Sequence, residues 1–156
     1  MSSTITTAIP STIDASTLIA TLHNHEIMIA ALCPGLVSYE FISGDKTTEA
    51  TYSITDKKPI GQRTTTSSPS TIIPNTPKQT TYKLTLTNVP DGIDSLVNAK
   101  PPVGALTIAA KWRVAGTQLV EEVEIEGNFM MKKMAKGNVE KTHPEQHTRL
   151  IELAKA

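Results

Sequence analysis

Aromatic residues make up only 4% of this 156-residue chain, and cysteine occurs once, as Cys33. A single thiol cannot close an internal disulfide, so the chain fits a reducing compartment, and the cytoplasm is the expected location. Neither sign of charge dominates: 15 Lys and Arg meet 15 Asp and Glu, for a formal net charge of +0. No basic stripe interleaved with aromatics is present, which argues against a nucleic-acid partner. The longest apolar run, Ile27 to Cys33, is too short for a membrane span. The opening MSSTITTAIP lacks the basic and apolar regions of a secretory signal. Also missing are a G-x-S-x-G elbow, a phosphate loop and a dinucleotide fingerprint, so no cofactor is expected.

What the chain does have is a succession of short alternating segments closed by one long helix. Ser3 to Ile9 is rich in Thr and Ile and reads as a first strand that Pro10 ends. Capping side chains in Ser11 to Ser16 precede a helical stripe through Leu18, Leu22 and Ile29, with a break into two pieces near Asn24. Strands follow over Leu36 to Ile42, with Val37, Tyr39 and Phe41 on one face, and over Glu49 to Thr55, with Ala50, Tyr52 and Ile54. Thr80 to Val89 puts Tyr82, Leu84 and Leu86 on one face, and the turn Pro90-Asp91-Gly92 returns the chain as Ile93 to Ala99. After a break at Pro101, Pro102 and Gly104, Leu106 to Val114 alternates around Trp112 and leads through Gly116 into a last strand. Such spacing indicates an antiparallel sheet in a single α+β domain over 1–156.

Two segments depart from this rhythm. Residues 64–79 are rich in Thr, Ser and Pro and have no periodicity, so they read as a loop within the domain, with Ile72 and Ile73 as an apolar tip able to close as a lid. From Phe129 onward, Met131, Ala135, Val139, His143, His147 and Leu150 recur at helical spacing and form the packing stripe of a long C-terminal helix. Pro144 is expected to kink or restart that helix, with Thr142 or His143 as its cap. One long helix across one sheet tends to leave a gap, and Phe41, Leu84, Trp112, Met131, Met134 and Val139 are the candidates to line it.

Chemistry is sparse. Tyr39, Tyr52 and Tyr82 lie on apolar strand faces, where they serve either as core or as phenolic donors to a ligand oxygen. Strict alternation places Glu121 with Leu119, Val123 and Ile125, facing inward; burial would raise its pKa toward useful acid–base values, whereas one bulge would expose it. Lys111 and Arg113 then face outward and are expected to pair with Glu122 and Glu124. His23 and His25 do not share a helix face, and His143 and His147 read as a partly solvated face, so no metal is expected. Cys33 has no evident base and is not read as a nucleophile.

The order strand, helical pair, antiparallel strands, long helix resembles the helix-grip fold of the START-like (SRPBCC) superfamily, a curved antiparallel sheet wrapped on a C-terminal helix. Within it the chain is similar to an uncharacterised fungal group, through LHNHEIMIAALCPGLVSYE, TYSITDKKPIGQ, TYKLTLTNVPDGIDSLVNAKPPVG, KWRVAG and EEVEIEGNFMMKKMAKGNVEKTH. The resemblance implies a cavity between sheet and helix for a hydrophobic, polyketide- or terpenoid-like molecule. The reading it supports is a cofactor-independent cyclase, isomerase or pericyclase, of Diels–Alderase type for example, with Tyr39, Tyr52, Tyr82 and Glu121 as catalytic residues. A non-catalytic carrier or sensor of such a molecule is the alternative, and a homodimer is among the compatible assemblies.

Overall fold

Alternating polarity is realised as seven antiparallel strands: β1 (Ser2–Ala8), β2 (Leu36–Gly44), β3 (Glu49–Asp56), β4 (Thr80–Val89), β5 (Gly92–Ala99), β6 (Leu106–Ala115) and β7 (Gln118–Glu126). They form one sheet in the order β1-β7-β6-β5-β4-β3-β2. Consecutive strands β1 and β2 therefore occupy opposite edges, and α1 (Ala15–His23) and α2 (His25–Leu32) make the crossing between them. A long α3 (Phe129–Lys155) closes the chain. The structure, a computed structural model, describes residues 2–57, 80–99 and 105–155. The expected lid over 64–79 and the break at Pro101, Pro102 and Gly104 lie outside the described residues.

The register sorts side chains as the alternation requires. Trp112 stands opposite Glu121 and Ile93, Ala110 opposite Val123 and Ser95, and Leu84 opposite Tyr52 and Val97, all on the inward face. Leu84, Leu86, Ile93, Leu106, Trp112, Leu119 and Ile125 have no exposed surface. Each such side chain contributes roughly 1.5–3 kcal/mol through burial. Lys111 faces outward opposite Glu122, as alternation predicts. Arg113 does not follow it to β7: its guanidinium turns toward β5 and pairs with Asp94 at 2.7 Å and Asp91 at 3.5 Å.

Asn24 explains the break between the first two helices. Its backbone is extended (φ −82°, ψ 102°), and its side-chain oxygen accepts from the N–H groups of Glu26 and Ile27, so the residue that stops α1 also starts α2. Pro144 behaves differently from expectation. The helix runs through it without a break, so Thr142 and His143 are helical residues rather than caps. A helical proline withholds one N–H, here from the carbonyl of the exposed Glu140. Burial of Gln146, His147, Leu150, Ile151 and Ala154 just beyond it holds the helix together. In β2, register shifts between Leu36 and Ser38 and between Phe41 and Ser43 drop Val37 out of the ladder, so only Tyr39 and Phe41 keep the shared face expected for all three.

The β4–β5 turn is the tightest approach in the fold. His23 Nε2–H donates to the carbonyls of Val89 and Gly92, both at 2.8 Å, tying α1 to the turn. A Cβ on Gly92 would overlap the backbone carbonyl of Trp112. Gly92→Ala should therefore force the two strands apart and lower stability by at least about 2 kcal/mol in urea denaturation; an unchanged midpoint would show that this contact is not tight.

Candidate functional site

Trp112 is the floor on which the inward polar groups are assembled. It is fully buried, and its indole N–H donates to Ser95 Oγ at 3.2 Å, which fixes the ring plane. His143 stacks on the indole at 6.0 Å with 20° between planes, and His147 lies against it at 5.1 Å and 48°. The two histidines are one turn apart on α3 and both reach Glu121, which faces Trp112 in the neighbouring strand. His143 Nδ1–H donates to Oε2 at 2.6 Å, and His147 Nε2–H donates to Oε1 at 2.9 Å. Thr7 of β1 completes the set, its hydroxyl donating to His147 Nδ1 at 2.9 Å.

These contacts fix which ring nitrogens face Glu121. With Glu121 ionised and accepting from both rings, every group of the cluster finds a partner among the described residues except His143 Nε2. Glu121 and His147 have no exposed side-chain surface, while His143 keeps 13%. The one unpartnered ring nitrogen of the cluster is thus also its accessible one. Burial alone pushes the Glu121 carboxyl upward, but hydrogen bonds from His143 and His147, aided by their charge, outweigh burial and hold it below the usual carboxylate range. The inward position of Glu121 matches expectation; the raised pKa does not, because the imidazoles supply what water would have supplied. His143 and His147 are likewise not a solvated face.

The tyrosines form a separate group on β2, β3 and β4. Tyr52 is buried, and its hydroxyl donates to His25 Nδ1 at 2.8 Å. The His25 tautomer follows from Asn88, whose Oδ1 accepts from Nε2–H at 2.9 Å while its amide donates to the Thr47 carbonyl. Burial, then the Tyr39 and Glu26 charges, push the Tyr52 phenol up. The Tyr82 hydroxyl and Cys33 Sγ share a hydrogen bond at 3.0 Å, and burial raises both groups, the thiol to about 11. Cys33 is accordingly a neutral buried thiol, as its sequence context implies. Tyr39 and Phe41 pack edge-on against the Tyr52 ring, at 6.0 and 5.8 Å.

The structure does not bring the four expected catalytic residues together. Tyr82 lies three strands from Glu121 and Tyr52 four, about 14 and 19 Å along the sheet at the usual strand spacing. Of the expected ligand-binding residues, Leu84, Trp112 and Val139 are buried in the core, Met131 is half-buried, and Met134 and Phe41 are exposed by 43% and 47%. Among the described residues, helix α3 packs mainly on β1, β7, α1 and α2, and on the inward side of β2 Tyr39 stays 37% exposed. On the outer face a groove of about 380 Å³, lined by Ser2, Thr4, Lys111, Glu122 and Glu124 among others, lies on the side of the sheet away from Glu121. No group of three or more His, Cys, Asp or Glu among the described residues is arranged to hold a metal.

Sequence reasoning missed the two histidines as partners of Glu121. The signal was present: an inward carboxylate on a strand faced an i, i+4 pair of imidazoles on the inward stripe of the covering helix.

The buried ion-pair geometry has measurable consequences. Glu121→Leu leaves two buried N–H groups unmatched and should cost roughly 3–5 kcal/mol at neutral pH. Glu121→Gln should cost less, because His147 can change tautomer, accept from the new amide and donate to Thr7. Folding lowers the Glu121 carboxyl, so the linked stability is present above the unfolded value of about 4.3 and is lost as pH falls through the folded value. Wild-type stability should drop more steeply below about pH 4.3 than that of Glu121→Gln. Parallel curves from urea titrations down to acid would contradict the ionised pair.

No curated protein matches this chain. Solved structures do. A conserved protein from Geobacillus kaustophilus superposes with a TM-score of 0.61 at 12% identity, covering 99% of this chain and 93% of that one. Ara h 8.0201 gives 0.56 at 10% identity, with 99% and 98% covered. A truncated norcoclaurine synthase from Thalictrum flavum gives 0.50 at 11% identity, with 98% and 93% covered. Likenesses at this level of identity show the fold alone, an α+β helix-grip of START type. A family model described as a domain of unknown function (DUF7053) matches residues 1–156, and the chain belongs to that family.

Proposed function

We propose that this protein binds a hydrophobic small molecule on its inward face and moves a proton on it without a cofactor, as an isomerase or cyclase. The observation that carries this reading is the His143 imidazole: its Nδ1–H is held by a buried carboxylate, and its Nε2 lone pair is the accessible end. A carboxylate behind an imidazole fixes its tautomer and stabilises the positive charge that develops as the ring takes a proton. Apolar surface is exposed at Tyr39 and Phe41 on β2, five strands along the sheet from Glu121, so a ligand resting there would have to extend along the inward face to reach His143. Removal of a proton from carbon next to a ketone would leave an enolate. Return of the proton to a more distant carbon completes an isomerisation; attack of the enolate carbon on a second carbonyl of the same chain forms the ring bond and an alkoxide, which takes the proton back from the imidazolium to complete a cyclisation.

The pericyclic reading is less well supported. A Diels–Alder closure transfers no proton and would draw on phenolic donors. The Tyr52 hydroxyl proton is committed to His25, and the Tyr82 hydroxyl is engaged with the buried Cys33 thiol, which leaves Tyr39. The same commitment is the observation that favours the carrier or sensor reading. A polyketide- or terpenoid-like intermediate of fungal biosynthesis, handled in the cytoplasm, is the substrate class and setting we propose from the sequence resemblance.

A β,γ-unsaturated ketone of terpenoid size, incubated in D2O and followed by NMR, provides the test. The wild type should accelerate deuterium exchange at the carbon between the ketone and the alkene. His143→Gln should lower that rate by about 100-fold or more, while both proteins bind the apolar dye anilinonaphthalene sulfonate equally. Dye binding with no catalysed exchange in the wild type would favour the carrier.

A further inference from the structure

Phe129 and Met130 are the most exposed large apolar side chains among the described residues, at 68% and 69%. They are neighbours in the first turn of α3, and that turn is well anchored. Asn128 accepts from the Met131 N–H through Oδ1 at 2.8 Å, and its carbonyl accepts from the Lys132 N–H at 2.9 Å. Met134, 43% exposed, follows Met130 one turn later. Lys132, Lys133 and Lys136 occupy the same two turns, and no acidic residue occurs between Phe129 and Val139. The first carboxylate beyond, Glu140, pairs with Lys136. A chain of net charge +0 thus concentrates three cations and three bulky apolar side chains at one helix end.

Water does not favour that arrangement, whereas the boundary between lipid headgroups and acyl chains does: apolar side chains enter the hydrocarbon while lysines meet anionic phosphates. We propose that the first two turns of α3 dock on an anionic lipid surface, with Phe129 and Met130 inserted and Lys132 and Lys133 on the headgroups. A second copy is the poorer occupant, because a symmetric contact would bring the same lysines together with no carboxylate in the segment to answer them. No helix of the described residues is long and apolar enough to cross a membrane, so the contact is peripheral. The proposal is independent of the reaction at His143.

Flotation of the full chain with vesicles provides the test, using phosphatidylcholine alone or with about 30% phosphatidylserine. The wild type should bind the anionic vesicles strongly and the neutral ones weakly, and added salt should release it. Lys132→Ser/Lys133→Ser should weaken anionic binding about 25-fold, at about fivefold per lysine. Phe129→Ser/Met130→Ser should weaken it at least about tenfold, and both variants should melt like the wild type because none of the replaced side chains is buried. Equal binding to the two vesicle types, no binding to either, or variants that bind like the wild type would overturn the proposal. So would light scattering that finds a wild-type dimer and a Phe129→Ser/Met130→Ser monomer, which would make a second copy the occupant. Capture of an acidic protein without vesicle binding would make the partner a protein.

Discussion

Glu121 has no exposed side-chain surface, and an ionised carboxylate in that position persists only where strong donors replace water. His143 and His147 are those donors, and the rest of the architecture follows from how they reach it. Both imidazoles stand on α3 and the carboxylate on β7, so the bonds fix the rotation and height of the helix against the sheet. Thr7 extends the tie to β1, the edge strand. Trp112 packs against both imidazoles and stands opposite Glu121 in the neighbouring strand. Two requirements meet here: the helix must lie where its histidines satisfy Glu121, and the apolar stripe of Ala135, Val139, Leu150 and Ile151 must lie where it covers β1 and β7.

That placement has a consequence at the other side of the sheet. A helix committed to β1 and β7 cannot also cover β2, and α1 and α2 fill only part of the remaining inward space. Among the described residues, the aromatic side chains at β2 stay partly exposed. The protein therefore has a sealed polar cluster with one accessible nitrogen, and an apolar wall beside a second, fully satisfied polar network of Tyr52, His25 and Asn88. The second network joins α2 to β3 and β4 and holds the turn at Thr47. Its protons are spent on structure.

Much of this was legible in the sequence because strand alternation is a strict code. The inward placement of Glu121 and Trp112, the outward placement of Lys111 and the break at Asn24 all followed from spacing and capping chemistry. The misreadings have a common cause. His143, His147 and Pro144 were judged by local rules for polar or helix-breaking residues, while their environment is set by a strand more than sixteen residues away. An imidazole pair next to a solvated helix face and an imidazole pair above a buried carboxylate look alike until the partner strand is assigned. The same holds for Arg113, whose alternative partners on β5 and β7 are equally near in the ladder.

The central claim is that His143 presents an unprotonated Nε2 while Glu121 holds its Nδ1–H. Long-range proton–nitrogen NMR correlation of the histidine rings near neutral pH reports the tautomer of each ring directly. The account predicts the Nδ1–H form for His143, the Nε2–H form for His147, and a change at both rings in Glu121→Gln. A His143 ring in the Nε2–H form, or ring signals indifferent to Glu121→Gln, would contradict it.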